Sequence, residues 1–272
     1  MYYFGALPPK KDIQAYKAVG LKAASALDLP EEFELTMPGV KNQGQVGSCV
    51  AHAVSTTVEY FNRVQEGTNT VFSTGFIYGN RQNTTHKGSG MYVDKALHNL
   101  RNIGDVANTL FPYNIEVPEA ITKYEERAEE LKPKAYPNRI TEYFQINNDE
   151  QRKVNLMNNG PIVFSIPWYS DYMLDKDNVM RHESDEIRGY HAMVIYGWNK
   201  DGWKIQNSWG KGFGNGGRAI LPFDTKFSTC YGIRDDVSGE DDNLDIDKPF
   251  KNLPKWIVSL INFIINLFAK KK

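Results

Sequence analysis

Cysteine is scarce in this sequence, because its 272 residues contain only Cys49 and Cys230. Two thiols 181 positions apart can form one bridge at most, which excludes a small scaffold held together by disulfides and favours a reducing compartment. An excess of charge of either sign is also absent: 32 Lys and Arg residues stand against 33 Asp and Glu residues. The net charge of −1 shows no basic footprint of the kind that nucleic-acid binding requires.

Long apolar segments are missing as well. The N-terminus, MYYFGALPPKKD, lacks the basic-then-apolar pattern of a secretory signal. The apolar stretch near the C-terminus, residues 254–272, is shorter than the roughly 20 apolar residues of an ordinary transmembrane helix. Wound as a helix, it confines Ser259, Asn262 and Asn266 to one polar stripe and carries lysines at both ends. We therefore expect this segment to bind a membrane surface or a protein partner, with packing onto the rest of the chain as the alternative.

The remaining composition, 41% hydrophobic and 12% aromatic, is typical of a globular protein with a real core. Apolar residues at spacings of three and four predict a helix from Cys49 to about Gln65, and a second helical stretch runs from Val93 to about Asn102. The sign-alternating segment 119–135 predicts a solvated helix or a linker. The second half contains short apolar runs that predict strands at Pro161–Ile166, His191–Tyr196, Trp203–Ile205 and Arg218–Leu221. A helical half followed by a strand-rich half predicts an α+β fold with two lobes.

The chain divides into four parts on this basis. Residues 1–29 form an N-terminal arm, 30–233 a globular domain, 234–253 an acidic linker and 254–272 the C-terminal helix. Within the domain, the helical lobe covers about 40–115 and the β-rich lobe about 136–233. The arm either covers a cleft or braces the lobes, with Tyr2, Tyr3 and Phe4 as apolar anchors, or it is a disordered tail.

Cys49 lies where a polar loop, KNQGQVGS, meets the start of the first predicted helix. A helix N-terminus presents unpaired N–H groups and a partial positive charge, so it lowers the pKa of a thiol and favours the nucleophilic thiolate. The alternative is that Cys49 is a small buried hydrophobe, as most free cysteines are. Cys230, in FSTCYGI, is expected at a buried or strand-end position.

Five histidines are candidates for a base beside this thiol. His52 lies one turn along the same helix and is expected in the core or partly exposed, His86 and His182 lie in polar loops, and His98 on a helix surface. None forms a metal-ligand pattern, so neither a metal nor an organic cofactor is predicted. His191 opens an apolar strand, where it is either a core residue or directed into a cleft.

The segment Gln206–Gly210, QNSWG, supplies a third element. An imidazolium that forms beside a thiolate needs an acceptor to hold its orientation, and the amide oxygen of Asn207 is suited to this. Trp209 would shield that hydrogen bond from water. By itself the same segment is equally consistent with a turn after a strand.

Together these segments resemble the papain family of cysteine peptidases. The resemblance runs from about Leu29 to Ile233 and is carried, in order, by VKNQGQVGSC, SGMYVDKALHNLRNIGDV, GPIVFSI, GYHAMVIYGWN and WKIQNSWGKGFGNGG. Cys49 and His191 are 142 positions apart, within the family's usual spacing of roughly 130–150. The resemblance implies the two-lobe fold, a helical lobe and an antiparallel barrel-like lobe with the active-site cleft between them.

The resemblance also implies a role for each matching residue. Cys49 is the nucleophile that forms a thioester, His191 the general base and acid, and Asn207 its orienting partner with Trp209 as shield. Gln43 donates to the oxyanion hole together with the Cys49 backbone N–H. Substrate-binding positions fall at Gly47, Ser89, Gly90 and Tyr190, in an uncertain register.

Departures from the family pattern indicate which branch of the family the chain resembles. Val46 stands where secreted relatives carry a disulfide cysteine, and Val50 where the family usually has tryptophan. The short arm is unlike the long inhibitory propeptide of lysosomal members. The chain resembles the bacterial or phage-type branch, which predicts a cytoplasmic or virion-associated protein, not a classically secreted one, with peripheral membrane association as an alternative.

The resulting prediction is a cysteine endopeptidase acting on peptide or protein substrates, with no nucleic acid as partner. Two alternatives stay open at this point. One is a catalytically silent homologue that binds or scaffolds peptides. The other is a different Cys-His acyl-transfer enzyme, such as an amidase of cell-wall peptides, because the acyl-enzyme chemistry is shared and only the pocket differs.

Overall fold

The structure is a computed structural model that describes residues 4–8, 29–83, 89–112 and 117–235. The chain divides into two compact units, Met1–Asp236 and Val237–Lys272, and the second lies outside the described residues. The predicted C-terminal helix, 254–272, and nearly all of the acidic linker therefore lie outside them too. Across the described ranges, no helix combines the length and apolarity needed to cross a membrane.

Five α-helices lie in the described residues: α1 Cys49–Glu66, α2 Thr74–Gly79, α3 Val93–Asn102, α4 Val117–Ala135 and α5 Asp149–Asn158. Short 3-10 segments follow α2 at Asn80–Asn83 and α4 at Tyr136–Asn138. The predicted bounds of α1 and α3 are confirmed. Helix α5 was not predicted, although Asn148 is its N-cap and accepts a hydrogen bond from the Gln151 N–H.

Helix α1 lies in the core of the first unit. Every residue from Cys49 to Phe61 is buried, so the prediction of a single buried face was too narrow for this part of the helix. The helix ends at Gly67, which takes a left-handed conformation and donates its N–H to the Arg63 carbonyl. A helix buried on all sides holds its first residue in a fixed position.

Helix α4 confirms the helix that charge alternation predicted as one alternative, but one of its faces is buried. Tyr124, Ala128, Leu131 and Ala135 recur at spacings of four and three and are buried, so the helix contributes to the core. The exposed face carries the predicted charges in ion pairs such as Glu129–Lys132. The strong charge pattern had hidden the apolar stripe.

Nine strands lie in the described residues: β1 Phe33–Glu34, β2 Glu142–Gln145, β3 Ile162–Tyr169, β4 Met173–Leu174, β5 Met180–Arg181, β6 Ile187–Asn199, β7 Gly202–Gln206, β8 Arg218–Leu221 and β9 Thr229–Arg234. Seven of them form an antiparallel sheet in the order β2-β9-β3-β6-β7-β8, with β1 paired to β6. Strands β4 and β5 form a separate hairpin. The predicted α+β class with a helical and a β-rich lobe is confirmed.

Strand β6 is longer than predicted, and His191 lies inside it instead of opening it. Three of the four residues before His191 pair with the end of β3, with an irregularity at Arg188, and a charged sequence, SDEIRGY, had concealed this extension. Alternate residues of β6 face two different hydrophobic clusters: Ala192 and Val194 face the helices, while Met193 and Ile195 face the interior of the β-rich lobe. The strand thus forms the wall between the two cores and presents His191 at their boundary.

Candidate active site

Cys49 is the first residue of α1, and its side chain is completely buried. The backbone N–H of Ala192, next to His191 on β6, donates a hydrogen bond to the Cys49 sulfur at 3.4 Å. The thiol of one lobe therefore lies against the strand of the other lobe that carries the predicted base.

Sheet register brings His191 and Asn207 together. Strands β6 and β7 pair Val194 with Gln206, so Asn207, which follows β7, comes alongside His191. The distance from His191 Nε2 to Asn207 Oδ1 is 2.7 Å. An amide oxygen only accepts, so Nε2 is the donor, and in the neutral ring Nδ1 is the nitrogen without a proton. The Trp209 ring stacks on the imidazole with 4.3 Å between centroids, as its predicted shielding role requires.

Gln43 is buried and held from two sides. Its Nε2 donates to the Val46 carbonyl at 2.9 Å, and its Oε1 accepts from the Ser208 hydroxyl at 2.7 Å. The backbone N–H of Gln43 also donates to the Ser208 carbonyl at 2.8 Å. The loop before Cys49 is thereby fastened to the loop that carries Asn207.

Ser208 is a residue that the sequence reasoning missed. Its hydroxyl fixes which end of the Gln43 amide is the acceptor, because a hydroxyl donating to Oε1 leaves the nitrogen end facing the other way. Its backbone N–H donates to Asn207 Oδ1 at 2.7 Å. The signal that could have identified Ser208 was its position in the sequence between Asn207 and Trp209.

The start of the N-terminal arm lies in the cleft. The Leu7 N–H donates to the Met91 carbonyl at 2.9 Å, the Met91 N–H donates to the Gly5 carbonyl at 2.8 Å, and the Ala6 N–H donates to the Tyr190 carbonyl at 3.1 Å. Gly5 passes so close to Gly47 that a Cβ built on it would overlap the Gly47 carbonyl. Of the three predicted apolar anchors, Phe4 lies within the described residues, and its ring packs against His191.

The predicted substrate-binding residues all border this segment or its neighbours. A Cβ on Gly47 would lie 2.8 Å from the Phe4 carbonyl oxygen, and one on Gly90, whose φ is +94°, would lie 2.9 Å from the Gly5 carbonyl oxygen. The Tyr190 carbonyl accepts from Ala6, as described above, whereas Ser89 is exposed and borders Gly47. Met91, the residue after the predicted Ser89–Gly90 pair, makes both backbone hydrogen bonds to the arm on this side.

The thiol under the arm does not have the lowered pKa that its helix position predicted. Burial raises the pKa of the Cys49 thiol to about 11, with the backbone N–H groups of Ala192 and Gly5 among those that act in the opposite direction. Burial likewise lowers the pKa of the His191 imidazole to about 4, against the opposing effect of Asn207. Burial of the covered site therefore favours the neutral thiol and the neutral imidazole, because desolvation outweighs the hydrogen bonds that favour their charged forms.

The other histidines lie elsewhere. His52 is buried, and its Nδ1 donates to the Ser48 carbonyl at 3.0 Å, within the range of positions predicted for it. His98 and His182 are exposed, and His86 lies outside the described residues. Cys230 is buried in β9, as expected, with Arg152 Nε 3.4 Å from its sulfur.

A sequence model of the papain family cysteine proteases matches residues 24–239. The chain therefore belongs to the papain family of cysteine proteases. This match covers all the described site residues except those of the arm.

Individual relatives agree with this assignment. Cathepsin B-like cysteine proteinase 1 of Haemonchus contortus is 39% identical over 66 residues, which cover 23% of this chain and 19% of that protein. Ananain of Ananas comosus is 29% identical over 200 residues, which cover 71% of this chain and 54% of ananain. The chain thus spans less than two thirds of the length of either relative.

Xylellain, a cysteine protease from Xylella fastidiosa, has a similar structure. The TM-score is 0.71 at 23% sequence identity, and the match covers 86% of this chain and 96% of xylellain. At this identity the similarity establishes the fold, which is the papain-like fold.

Proposed function

We propose that this chain is a cysteine-type endopeptidase. Cys49 attacks the carbonyl carbon of a peptide bond, and the backbone N–H of Cys49 with the Gln43 amide stabilises the oxyanion. His191 takes the thiol proton and gives it to the leaving amine, which leaves a thioester on Cys49. Water then attacks the thioester, with His191 as base, and releases the acid product and the free thiol.

The observation that supports this most is the state of the His191 ring. Its Nε2 donates to Asn207, so the second nitrogen, Nδ1, carries the lone pair. Nδ1 is buried and has no hydrogen-bond partner among the described residues, although a buried polar atom normally has one. A proton acceptor left in this way at the wall that Cys49 contacts suits the general base of an acyl transfer, whereas a peptide-binding homologue has no need of it.

We further propose that the described arrangement is the latent state of the enzyme. The leaving amine of a substrate must lie beside His191, so the acyl part must extend to the other end of the cleft, along Met91. The arm has Phe4 beside His191 and Leu7 beside Met91, so it runs in the opposite direction to a substrate. A segment in this direction blocks the cleft without presenting a peptide bond in the orientation that His191 can complete.

An epoxide-type probe for cysteine proteases tests the proposed chemistry. The full chain and a Gly5→Val variant are incubated with the probe, and the modified residue is located by mass spectrometry. Attachment at Cys49 that is lost in His191→Ala is expected, because the reaction needs the thiolate that His191 helps to form.

Cleavage profiling on a peptide library, with cell-wall peptides in parallel, then identifies the substrate class. Cleavage of cell-wall peptides alone would replace the endopeptidase assignment by an amidase. Modification of Cys230 would contradict the assignment of Cys49. So would the absence of any modification in both the full chain and Gly5→Val.

A further inference from the structure

The leaving-group end of the cleft is lined by aromatic rings. Trp168, at the end of β3, lies 5.3 Å from the His191 ring and 4.8 Å from the Trp209 ring, measured between centroids. The Tyr172 ring lies 4.8 Å from the Trp168 ring. These three residues, Trp168, Tyr172 and Trp209, are called the aromatic wall below. The wall begins at the catalytic imidazole, so any residue that follows the scissile bond must pass it.

A ring already occupies this place. The Phe4 centroid lies 5.9 Å from that of Trp168 and 6.3 Å from that of Trp209, within the usual range for aromatic pairs. Gly189 is the partner of Trp168 on the neighbouring strand, and a Cβ added to it would lie 3.0 Å from the Phe4 side chain. Gly189 therefore leaves the space that the ring fills. The arm shows what kind of side chain fits this position, independently of its reversed direction, because the fit depends on ring contacts alone.

Trp168 reaches this position through strand alternation. Ile166 pairs with His191, and Trp168 follows two residues later on the same face of β3. The ring of Trp168 is nearly buried with Phe4 present. A substrate ring in the place of Phe4 would bury the same apolar surface.

We propose that Trp168 makes the leaving-group end of the cleft selective for peptides with an aromatic residue directly after the scissile bond. The proposal rests on the proposed endopeptidase function and adds its substrate class. Burial of an aromatic ring against two others favours such a residue over glycine by about tenfold or more.

Partitioning of the acyl-enzyme tests the selectivity, because an added amine competes with water for the thioester at this end alone. A full-length chain carrying Phe4→Ala and Gly5→Val is acylated with an activated ester, and phenylalanine amide or glycine amide is added. Transfer to phenylalanine amide is expected to exceed transfer to glycine amide by about tenfold. In Trp168→Leu this ratio falls towards one. Trp203→Leu, which removes a buried tryptophan packed on Phe223 in the same lobe, serves as the control and retains the ratio.

The outcomes separate the two proposals. If no acyl-enzyme forms, the proposed function fails. If it forms but transfers equally to both amides, or if Trp203→Leu changes the ratio as much as Trp168→Leu, the aromatic selectivity is wrong.

A second measurement does not depend on catalysis. Alkylation of Cys49 by iodoacetamide is followed in otherwise native chains carrying Phe4→Ala, Trp168→Leu or both. Each single change is expected to speed alkylation severalfold, and the double variant to react no faster than the faster single one, because both remove the same contact. Phe4→Trp is expected to keep the protection. Unchanged alkylation in Phe4→Ala, or independent effects that multiply in the double variant, would overturn the assignment of this contact.

Discussion

At the scale of single residues, Gln43, the proposed oxyanion donor, depends most on its neighbours. Gln43 can serve only if its amide nitrogen faces the substrate carbonyl, and Ser208 determines this by donating to Oε1. In the proposed role, the amide donates most strongly when charge develops on the substrate oxygen, so its contribution would belong to the transition state.

Gln43→Ala is therefore expected to lower kcat by roughly 10²–10³ with little change in KM. Gln45→Ala, an exposed glutamine in the same loop, is the matched control and should leave both constants unchanged. Steady-state kinetics of the enzyme whose arm is released by Gly5→Val distinguish the two roles. An unchanged kcat with a raised KM would show that Gln43 binds substrate and has no oxyanion role.

The residues of the Cys-His-Asn group should differ in severity. Cys49→Ala removes the nucleophile and should abolish turnover, and His191→Ala should nearly do so. Asn207→Ala should cost less, because the base is retained and only its orientation is lost. Single-turnover assays at equal protein concentration compare the three. Equal losses for His191→Ala and Asn207→Ala would contradict a purely orienting role for Asn207.

The buried ring of His52 is expected to make the free energy of unfolding depend on pH. Burial lowers its pKa to about 3 from an ordinary value of 6.5, with Lys41 and His191 acting in the same direction. Between these two pH values the unfolded chain binds a proton at His52 and the folded chain does not. The free energy of unfolding therefore decreases as pH falls from 6.5 towards 3. His52→Phe removes the effect.

The free energy of unfolding of His52→Phe, relative to the native chain, should therefore rise by about 2 kcal/mol between pH 7 and pH 5. Urea unfolding at the two pH values measures it. His98→Phe changes an exposed histidine and is the control. A relative stability of His52→Phe that does not change with pH would show that His52 is not held neutral by the fold.

At the scale of elements, the start of the arm packs directly against the residues that line the cleft. Residues 4–8 complete the cleft with a short bridge between Ala6 and Met91, and the tight point of this contact is Gly5 against Gly47. Any side chain at position 5 must displace either the arm or the loop before Cys49. The loop is fastened to Ser208, so the arm is the part that should yield.

Gly5→Val should consequently release the arm. Alkylation of Cys49 at pH 7 is expected to accelerate at least about tenfold, because the thiol is no longer desolvated and its pKa falls. Gly39→Val is the control, since no atom lies within 4 Å of a Cβ at Gly39. Mass mapping should find Cys49 modified and Cys230 protected. A native rate of alkylation in Gly5→Val would show that the arm does not govern access to the thiol.

At the scale of the whole molecule, the chain consists of the papain-like unit and a second unit that contains the C-terminal segment. The papain-like unit contains its own two cores. The segment 254–272 lies outside the described residues, and its role as a membrane-surface or partner-binding helix remains a prediction from its apolar surface and flanking lysines.

Sedimentation with anionic liposomes tests that prediction. The full chain should sediment with the liposomes, whereas a chain ending at Asp247 should remain in the supernatant. Binding should weaken at high salt, because lysines contribute by attraction to the headgroups. If both chains stay in the supernatant and the full chain is a monomer, the segment packs on the protein itself.

The sequence by itself determined the elements whose signals are local. The loop-to-helix junction at Cys49, the bounds of α3 and the apolar runs of the sheet followed from periodicity and turn residues, and the spaced motifs indicated the family. Where one signal masked another, the prediction was incomplete: the charges of α4 predicted a helix as one alternative but concealed its buried stripe, and SDEIRGY concealed the start of β6.

Only the tertiary structure decided how these parts act on each other. The pairing of Val194 with Gln206 sets Asn207 beside His191, and the hydroxyl of Ser208 sets the Gln43 amide, although no local pattern specifies a contact across 165 positions. The pKa of Cys49 shows the difference most clearly. Its place at a helix N-terminus predicted a low value, but the thiol is buried, and the cost of desolvating a thiolate exceeds the effect of the backbone N–H groups that would stabilise it.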